Sequence, residues 1–322
     1  MTAAIEIQGL SKAYGDRAGR RLAVRDLTLA IDEGAVFGFI GPNGAGKTTT
    51  MRILTTLLAP TAGEAWVAGS SIREDPRGVR RAVGYMPDYF GVYDDMKVWE
   101  YLDFFAATYG ISPGGRAAMI DDLLALVDLD HRRDDFVDSL SRGMKQRLCL
   151  ARTLVHDPQV LILDEPAAGL DPRARVEIRE LLRELRLMGK TIFFSSHILS
   201  EVADVCTHIG VIEDGALVAA GDIEEMRRHL QAHRTVRVHL LGDPAAAADL
   251  LFALDGVTNV RPAVDNGETR PDQLLFDFVG DDHGLSAALA ALVGRELGIV
   301  SFAELPSDLE DVFLQVTRGI VS

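Results

Sequence analysis

A chain of 322 residues exceeds what one hydrophobic core usually fills, so two domains are expected, the larger able to bury a full doubly wound sheet. With 48% apolar and 25% charged residues the composition is that of a folded globular protein and excludes a disordered one. A formal charge of −15 argues against a role in neutralising nucleic acid or hugging an anionic lipid surface, so any phosphate binding must be local.

The opening "MTAAIEIQGLSKAYG" has no basic head followed by an apolar run, so no secretory signal is expected. No stretch reaches the ~20 apolar residues that cross a bilayer. Even "AAAADLLFALDGV" is broken by Asp249 and Asp255. Cys149 and Cys206 lie far apart in apolar surroundings and read as buried, reduced thiols of a cytosolic protein.

From the start to about residue 230, short β-rich runs alternate with helical stretches. The runs "VFGFI", "QVLILD" and "TIFFSS" are continuously apolar, as strands covered on both faces should be, which predicts a layered α/β core. Directly after "VFGFI" comes "GPNGAGKTT", with a helix predicted from Lys47: a strand, a glycine-rich loop and a helix, the setting of a phosphate-binding loop. Gly41, Gly44 and Gly46 let the backbone curl around an anion, together with Asn43 and Ala45, at the positive end of the helix dipole. Lys47 then reaches the β- and γ-phosphates, Thr48 ligates Mg²⁺ and Thr49 touches the α-phosphate.

"GYMPDYFGVYDD", residues 84 to 95, gathers four aromatic rings in a chain where aromatics make up 7%, and sets Asp88 just after a short apolar run. Further on, "LSRGMKQRLCLARTLV" has Ser141 as the N-cap of a helix with apolar residues at helical spacing, and Gly143 beside it. That is another anion site. One nucleotide has one γ-phosphate, so a second site makes sense only if it serves a neighbour's nucleotide. "LILDEP" lifts Asp164 to the end of its strand to hold Mg²⁺ through water, and Glu165 to orient or deprotonate the attacking water. His197, following "TIFFSS", ends a strand on the same rim and is placed to touch the γ-phosphate.

The pattern lapses at residues 229 to 235, "HLQAHRT", and a new unit follows, with domains expected at 1–230 and 235–322. "TVRVHLL", "PAAAADLLFALD", "GVTNVRPAV", "QLLFDFV", "LSAALAALVGREL" and "GIVSFAEL" give βαββαβ, with a turn signal at Asn266-Gly267 and a closing helix from Ser307. This predicts a small α+β, ferredoxin-like domain. It has no lysine and more than twice as many acids as arginines, so it is not an RNA reader.

"GPNGAGKTT", "LSRGMKQR", "LILDEP", "GLDP" and "SSH", in this order and spacing, resemble the ATP-binding subunits of ABC transporters over residues 1 to about 230. The tail resembles the small domain appended to many ABC-2 type exporter ATPases. The resemblance implies a P-loop NTPase of ABC type, with a helical subdomain carrying the signature, and two such domains meeting head to tail. Ser141, Arg142, Gly143 and Met144 of one copy would then face the ATP held by Lys47 of the other, as homodimer or with a homologous ATPase. It further implies that Tyr14 stacks on adenine, and that Asp171 lies in a loop crossing to the partner. A separate membrane permease would dock a short helix against the aromatic stretch, near Tyr89, Phe90 and Tyr93, while Phe104 and Phe105, at helical spacing, are expected in the core. The chain would sit on the cytoplasmic face of the membrane through that permease, with no nucleic-acid partner.

The sequence departs from the family's pattern at Arg142 and Met144, which replace the signature's usual glycine and glutamine. At Asp88 an aspartate stands where a glutamine is usual; ionised aspartate accepts hydrogen bonds but cannot donate them, so it can hold a water on Mg²⁺ but not donate to the γ-phosphate. The expected function is ATP hydrolysis coupled to export through a separate permease. A soluble ABC ATPase of translation or DNA repair is the alternative, disfavoured by the lack of a second ATPase domain, a coiled-coil insertion or a basic surface. A regulatory module gated by ATP is disfavoured by the full set of hydrolytic residues.

Overall fold

The computed structural model describes residues 3–15, 21–89, 91, 95–198, 202, 204–223, 233–265, 268–295 and 297–305. The chain divides into two compact units, Met1–Ile223 and Glu224–Ser322. In chain order the first unit contains β1 (Ala3–Tyr14), β2 (Arg21–Asp32), β3 (Val36–Ile40), α1 (Lys47–Leu54), β4 (Ala62–Val67), β5 (Ser70–Ser71), α2 (Pro76–Ala82) and β6 (Val83–Met86). It continues with α3 (Val98–Thr108), α4 (Pro113–Leu126), α5 (Arg142–Leu154), β7 (Val160–Leu163), α6 (Pro172–Leu187), β8 (Thr191–Ser196), β9 (His208–Glu213) and β10 (Ala216–Asp222).

Two sheets share the core of this unit. The larger has six strands in the order β10-β9-β3-β8-β7-β6. Its strands are parallel except for β10, which pairs antiparallel with β9 at one edge. Every residue of β3, β7 and β8 is buried, which is why these runs read as continuously apolar. The smaller sheet, β2-β1-β4-β5, is antiparallel. The sequence reading did not separate it from the parallel layer, although β2 alternates buried Leu27, Leu29 and Ile31 with exposed Thr28 and Ala30, the mark of a strand covered on one face. Helix α1 contributes Met51, Ile53 and Leu54 to the core that both sheets share.

Parallel register decides where the chemistry falls. Ile40 pairs with Ser196, Phe194 with Leu163, and Leu163 with Met86, so β3, β8, β7 and β6 all end on one rim. The residues that follow, from Gly41, Asp164, His197 and Asp88, leave that rim together. Two backbone bonds tie the exits: Gly41 N–H to Ser196 O at 3.4 Å and Asp164 N–H to Met86 O at 2.8 Å.

Helices α3, α4 and α5 pack on one another as the helical subdomain. Helix α3 buries Val98, Tyr101, Leu102 and Ala106. That face corrects the expectation for Phe104, which is 45% exposed because a helix that turns 98, 101, 102 and 106 inward leaves 104 toward its other side. Phe105, one turn on from Tyr101, is half-buried with its ring centre 5.0 Å from that of Tyr101. The Phe104 and Phe105 rings contact each other edge-on at 5.3 Å, and the Arg152 guanidinium lies over Phe105 at 5.2 Å.

The second unit runs β11 (His233–Leu240), α7 (Pro244–Phe252), β12 (Val257–Asp265), β13 (Glu268–Val279), α8 (Asp282–Gly294) and β14 (Ile299–Glu304). All pairings are antiparallel in the order β12-β13-β11-β14, the ferredoxin-like arrangement. Val236, Val238 and Leu240 alternate on β11 toward Phe276 and Phe278 of β13, with Leu251 of α7 and Leu292 of α8 closing the core. Asp243 and Asp281 cap the two helices, accepting from Ala245 N–H and Gly284 N–H at 2.9 Å. The Asn266-Gly267 turn and the helix expected from Ser307 lie outside the described residues, as do Phe90 and Tyr93.

Candidate nucleotide site

The loop between β3 and α1 is shaped by two glycines that nothing else can replace. A Cβ on Gly41 would fall 2.2 Å from Ile212 O. Gly46, the N-cap of α1, has φ +111°, and a Cβ there would lie 2.4 Å from Ala23 O. The loop so formed borders a cleft of about 660 Å³, lined by Asn43, Gly44, Gly46, Lys47, Thr48 and Thr49 on this side. That volume suits a nucleotide. Ala45 and Gly41 do not line it: the Ala45 methyl is buried, its N–H is bonded to Pro42 O at 3.2 Å and its carbonyl accepts from Gly215 N–H at 3.0 Å. In this structure Ala45 shapes the loop, with both its backbone groups bonded to protein.

Lys47 is 6% exposed. Its ammonium donates to Gly41 O at 2.6 Å and Pro42 O at 3.3 Å and faces Glu165 Oε1 at 3.3 Å. The last contact is an ion pair without hydrogen-bond alignment, since Glu165 Oε1 has no hydrogen-bond partner. The other carboxylate oxygen, Oε2, lies 2.8 Å from His197 Nδ1. Glu165 is thus clasped between a lysine and a histidine, on a backbone with φ +52°, a left-handed conformation unusual for a side chain of this size.

Asp164 is fully buried. Burial raises its carboxyl above the ordinary range, and the hydroxyls of Ser195 and Thr48 oppose that shift. Ser195 Oγ donates to Asp164 Oδ1 at 2.7 Å and accepts from Glu165 N–H at 2.8 Å. Asp164 Oδ2 is buried without a partner. An unpartnered, buried carboxylate oxygen beside the Thr48 hydroxyl is a hard-oxygen set of the kind a hydrated Mg²⁺ satisfies, so the residues present fit that ion. Asp88 also lines the cleft. It is about half exposed, accepts from Tyr89 N–H at 2.9 Å and lies 4.0 Å from Arg52.

At the far end of the cleft stands Tyr14, 45% exposed, with the Lys12 ammonium 5.4 Å from its ring centre. Antiparallel pairing sets Arg21 directly across from Tyr14, and Arg21 lines the cleft. Sequence reasoning missed Arg21 and Ser195. A polar residue inside the apolar run "TIFFSS" was the available signal for the second; the first was hidden until pairing brought it beside Tyr14.

Ser141 and Gly143 lie in a separate cleft of about 200 Å³ that also includes Arg142, Met144 and Asp171 and shares no lining residue with the first. Ser141 caps α5, accepting from Met144 N–H at 3.3 Å, and Asp171 caps α6, accepting from Ala174 N–H at 2.9 Å. Arg142 reaches from this cleft to the loop after Glu165, donating to Ala168 O at 3.2 Å and packing on Gly169. Buried Gln146 binds the same loop through Pro166 O at 2.8 Å.

A glycine-rich loop under a buried lysine, with an Asp-Glu pair and a histidine on the neighbouring strand ends, defines a P-loop nucleotide-binding protein. Residues 24–168 match the family model described as ABC transporter. The chain is 36% identical over 315 residues to the Nod factor export ATP-binding protein I of Burkholderia orbicola (strain AU 1054), covering 98% of this chain and 97% of that protein. The corresponding protein of Cupriavidus metallidurans is 37% identical over 318 residues, covering 98% of each. Among solved structures, an ATP-binding subunit of an ABC transporter superposes with TM-score 0.62 at 30% identity, covering 71% of this chain and 94% of that one. The chain belongs to the ABC transporter family, as an ATP-binding subunit.

Proposed function

We propose that this chain is the ATP-hydrolysing subunit of an ABC-2 type exporter, with residues 1–230 as the ATP-binding domain and 235–322 as an accessory domain. The observation that carries this reading is that two clefts of one chain are separate: Lys47 lines one whose volume suits a nucleotide, while Ser141 and Gly143 line another that shares no residue with it. Two copies set head to tail complete each site, Ser141 and Gly143 of one closing over the γ-phosphate held by Lys47 of the other. The export role rests on the curated relatives, whose names describe export.

In this reading Tyr14 stacks on the adenine, the loop from Gly41 to Thr49 cradles the phosphates, and Lys47 moves from Glu165 onto the β- and γ-phosphates. Thr48, with Asp164 and Asp88 through water, would hold Mg²⁺, which would neutralise charge on those phosphates. Glu165 orients the attacking water and accepts its proton. The bond from water oxygen to the γ-phosphorus forms as the bridging bond to ADP breaks. His197, fixed through Nδ1 to Glu165 Oε2, presents its other nitrogen to the γ-phosphate. Asp171 crosses to the partner copy.

The permease docks at the aromatic stretch. Tyr89 is 84% exposed, and Tyr85, Phe105 and Tyr109 line a groove of about 370 Å³ together with Leu57. An aromatic groove rimmed by Arg80, Arg152 and Thr108 suits an amphipathic helix. No helix among the described residues is long and apolar enough to cross a membrane. In this reading the chain works from the cytoplasmic face, through that permease.

The test is Glu165→Gln with ATP and Mg²⁺, followed by analytical ultracentrifugation. A dimer that persists with ATP and dissociates with ADP is expected; a monomer at saturating ATP overturns the head-to-tail reading.

A further inference from the structure

We infer that Ser195 is a positioning residue for hydrolysis, one hydroxyl that sets both acids of the site; this rests on the ATPase reading above. Ser195 is completely buried near the end of β8, one residue before the strand's last. Its hydroxyl proton goes to Asp164 Oδ1 at 2.7 Å, so its lone pair is free to accept Glu165 N–H at 2.8 Å. The two bonds are made in opposite senses, which a hydroxyl can do and an alanine, valine or isoleucine at this strand position cannot.

Each bond has a separate consequence. Holding Oδ1 fixes the carboxylate plane and leaves Oδ2, buried and unpartnered, as the oxygen that could accept from a metal-bound water. Holding the Glu165 amide pins the peptide of a residue at φ +52°, a conformation that the neighbouring structure must enforce. The Glu165 carboxylate then reaches Lys47 at 3.3 Å and His197 at 2.8 Å. Without Ser195 a buried carboxylate oxygen and a backbone N–H both lose their partner, and the two acids are free to settle in other geometries. Loss therefore falls on turnover and on the response to metal, and leaves nucleotide binding through the phosphate loop in place.

The full chain carries the test as Ser195→Ala, Ser195→Cys, close in size but a weak donor, and Ser195→Thr, which keeps the hydroxyl. ATP turnover is measured beside ADP affinity in EDTA and in Mg²⁺, and beside the melting temperature. Ser195→Ala and Ser195→Cys are expected to lose between about tenfold and a hundredfold in kcat. Their ADP affinity in EDTA stays within about twofold, while the tightening that Mg²⁺ gives the wild type shrinks; Ser195→Thr recovers most of the rate. Wild-type turnover in Ser195→Ala overturns the inference. So does an Ala variant whose EDTA affinity and melting temperature fall in step with kcat, which marks a merely structural serine. A wild-type chain that hydrolyses no ATP overturns the function reading and this inference together, so the two failures are told apart by the wild type.

Discussion

Replacing Glu165 by glutamine should tighten ADP binding as well as stop turnover. The structure pairs Lys47 Nζ with Glu165 Oε1 at 3.3 Å, with side chains 6% and 15% exposed, so a phosphate that takes up Lys47 competes with this carboxylate. At an effective dielectric near 20, unit charges at that separation attract by roughly 5 kcal/mol. Desolvation of both ions cancels most of this, which leaves about 1–2 kcal/mol, a factor of roughly 5 to 30 in affinity. Glutamine removes the charge and keeps an oxygen for His197. ADP is the right ligand because it lacks the γ-phosphate, and EDTA removes any contribution of metal at Asp164. Titration calorimetry of wild type and Glu165→Gln under these conditions gives the two constants. Equal or weaker ADP binding by the variant would refute the competition, whatever happens to turnover.

Three further outcomes are expected. Burial raises the Asp164 carboxyl, so the folded state binds more protons than the unfolded one between the ordinary value of 3.8 and the raised folded value, and stability falls as pH rises through that window. Asp164→Asn in EDTA should therefore melt higher than wild type at neutral pH, with the gap narrowing toward pH 3.8, while losing at least about a hundredfold in Mg²⁺-dependent turnover. Burial pushes the Cys149 thiol up to about 11 and the Cys206 thiol well above its ordinary value, so a thiol reagent at pH 8 should label neither until denaturant is added. Asp88→Ala should lower kcat by roughly tenfold and leave ATP affinity within about threefold, since Asp88 is half exposed at the mouth of the cleft; unchanged turnover would remove it from the mechanism.

Local signals in the sequence carried far. A strand of five apolar residues, then "GPNGAGKTT", fixed the position of Lys47 to the residue, and a serine before a helical pattern located the start of α5 at Arg142. Strands β11 to β14 were legible because their alternation, turn signals and intervening helices agree on one topology. What stayed hidden depends on how strands pair. Tyr14 and Arg21 become neighbours only through the β1–β2 register. Ser195 and Asp164 meet because β7 lies against β8, 31 residues apart in sequence, and nothing local to either strand reports it. Phe104 was misplaced for a related reason: helical spacing says which residues share a face, and only the packing of α3 says which face is buried.

The left-handed backbone at Glu165 bears on which residues that position tolerates. Glycine would hold φ +52° with no Cβ penalty but would leave the buried Lys47 ammonium without the carboxylate it faces at 3.3 Å, so backbone ease and charge pairing pull position 165 in opposite directions. Glu165→Gly melting above Glu165→Ala, both of which lack the carboxylate, would display the backbone contribution by itself.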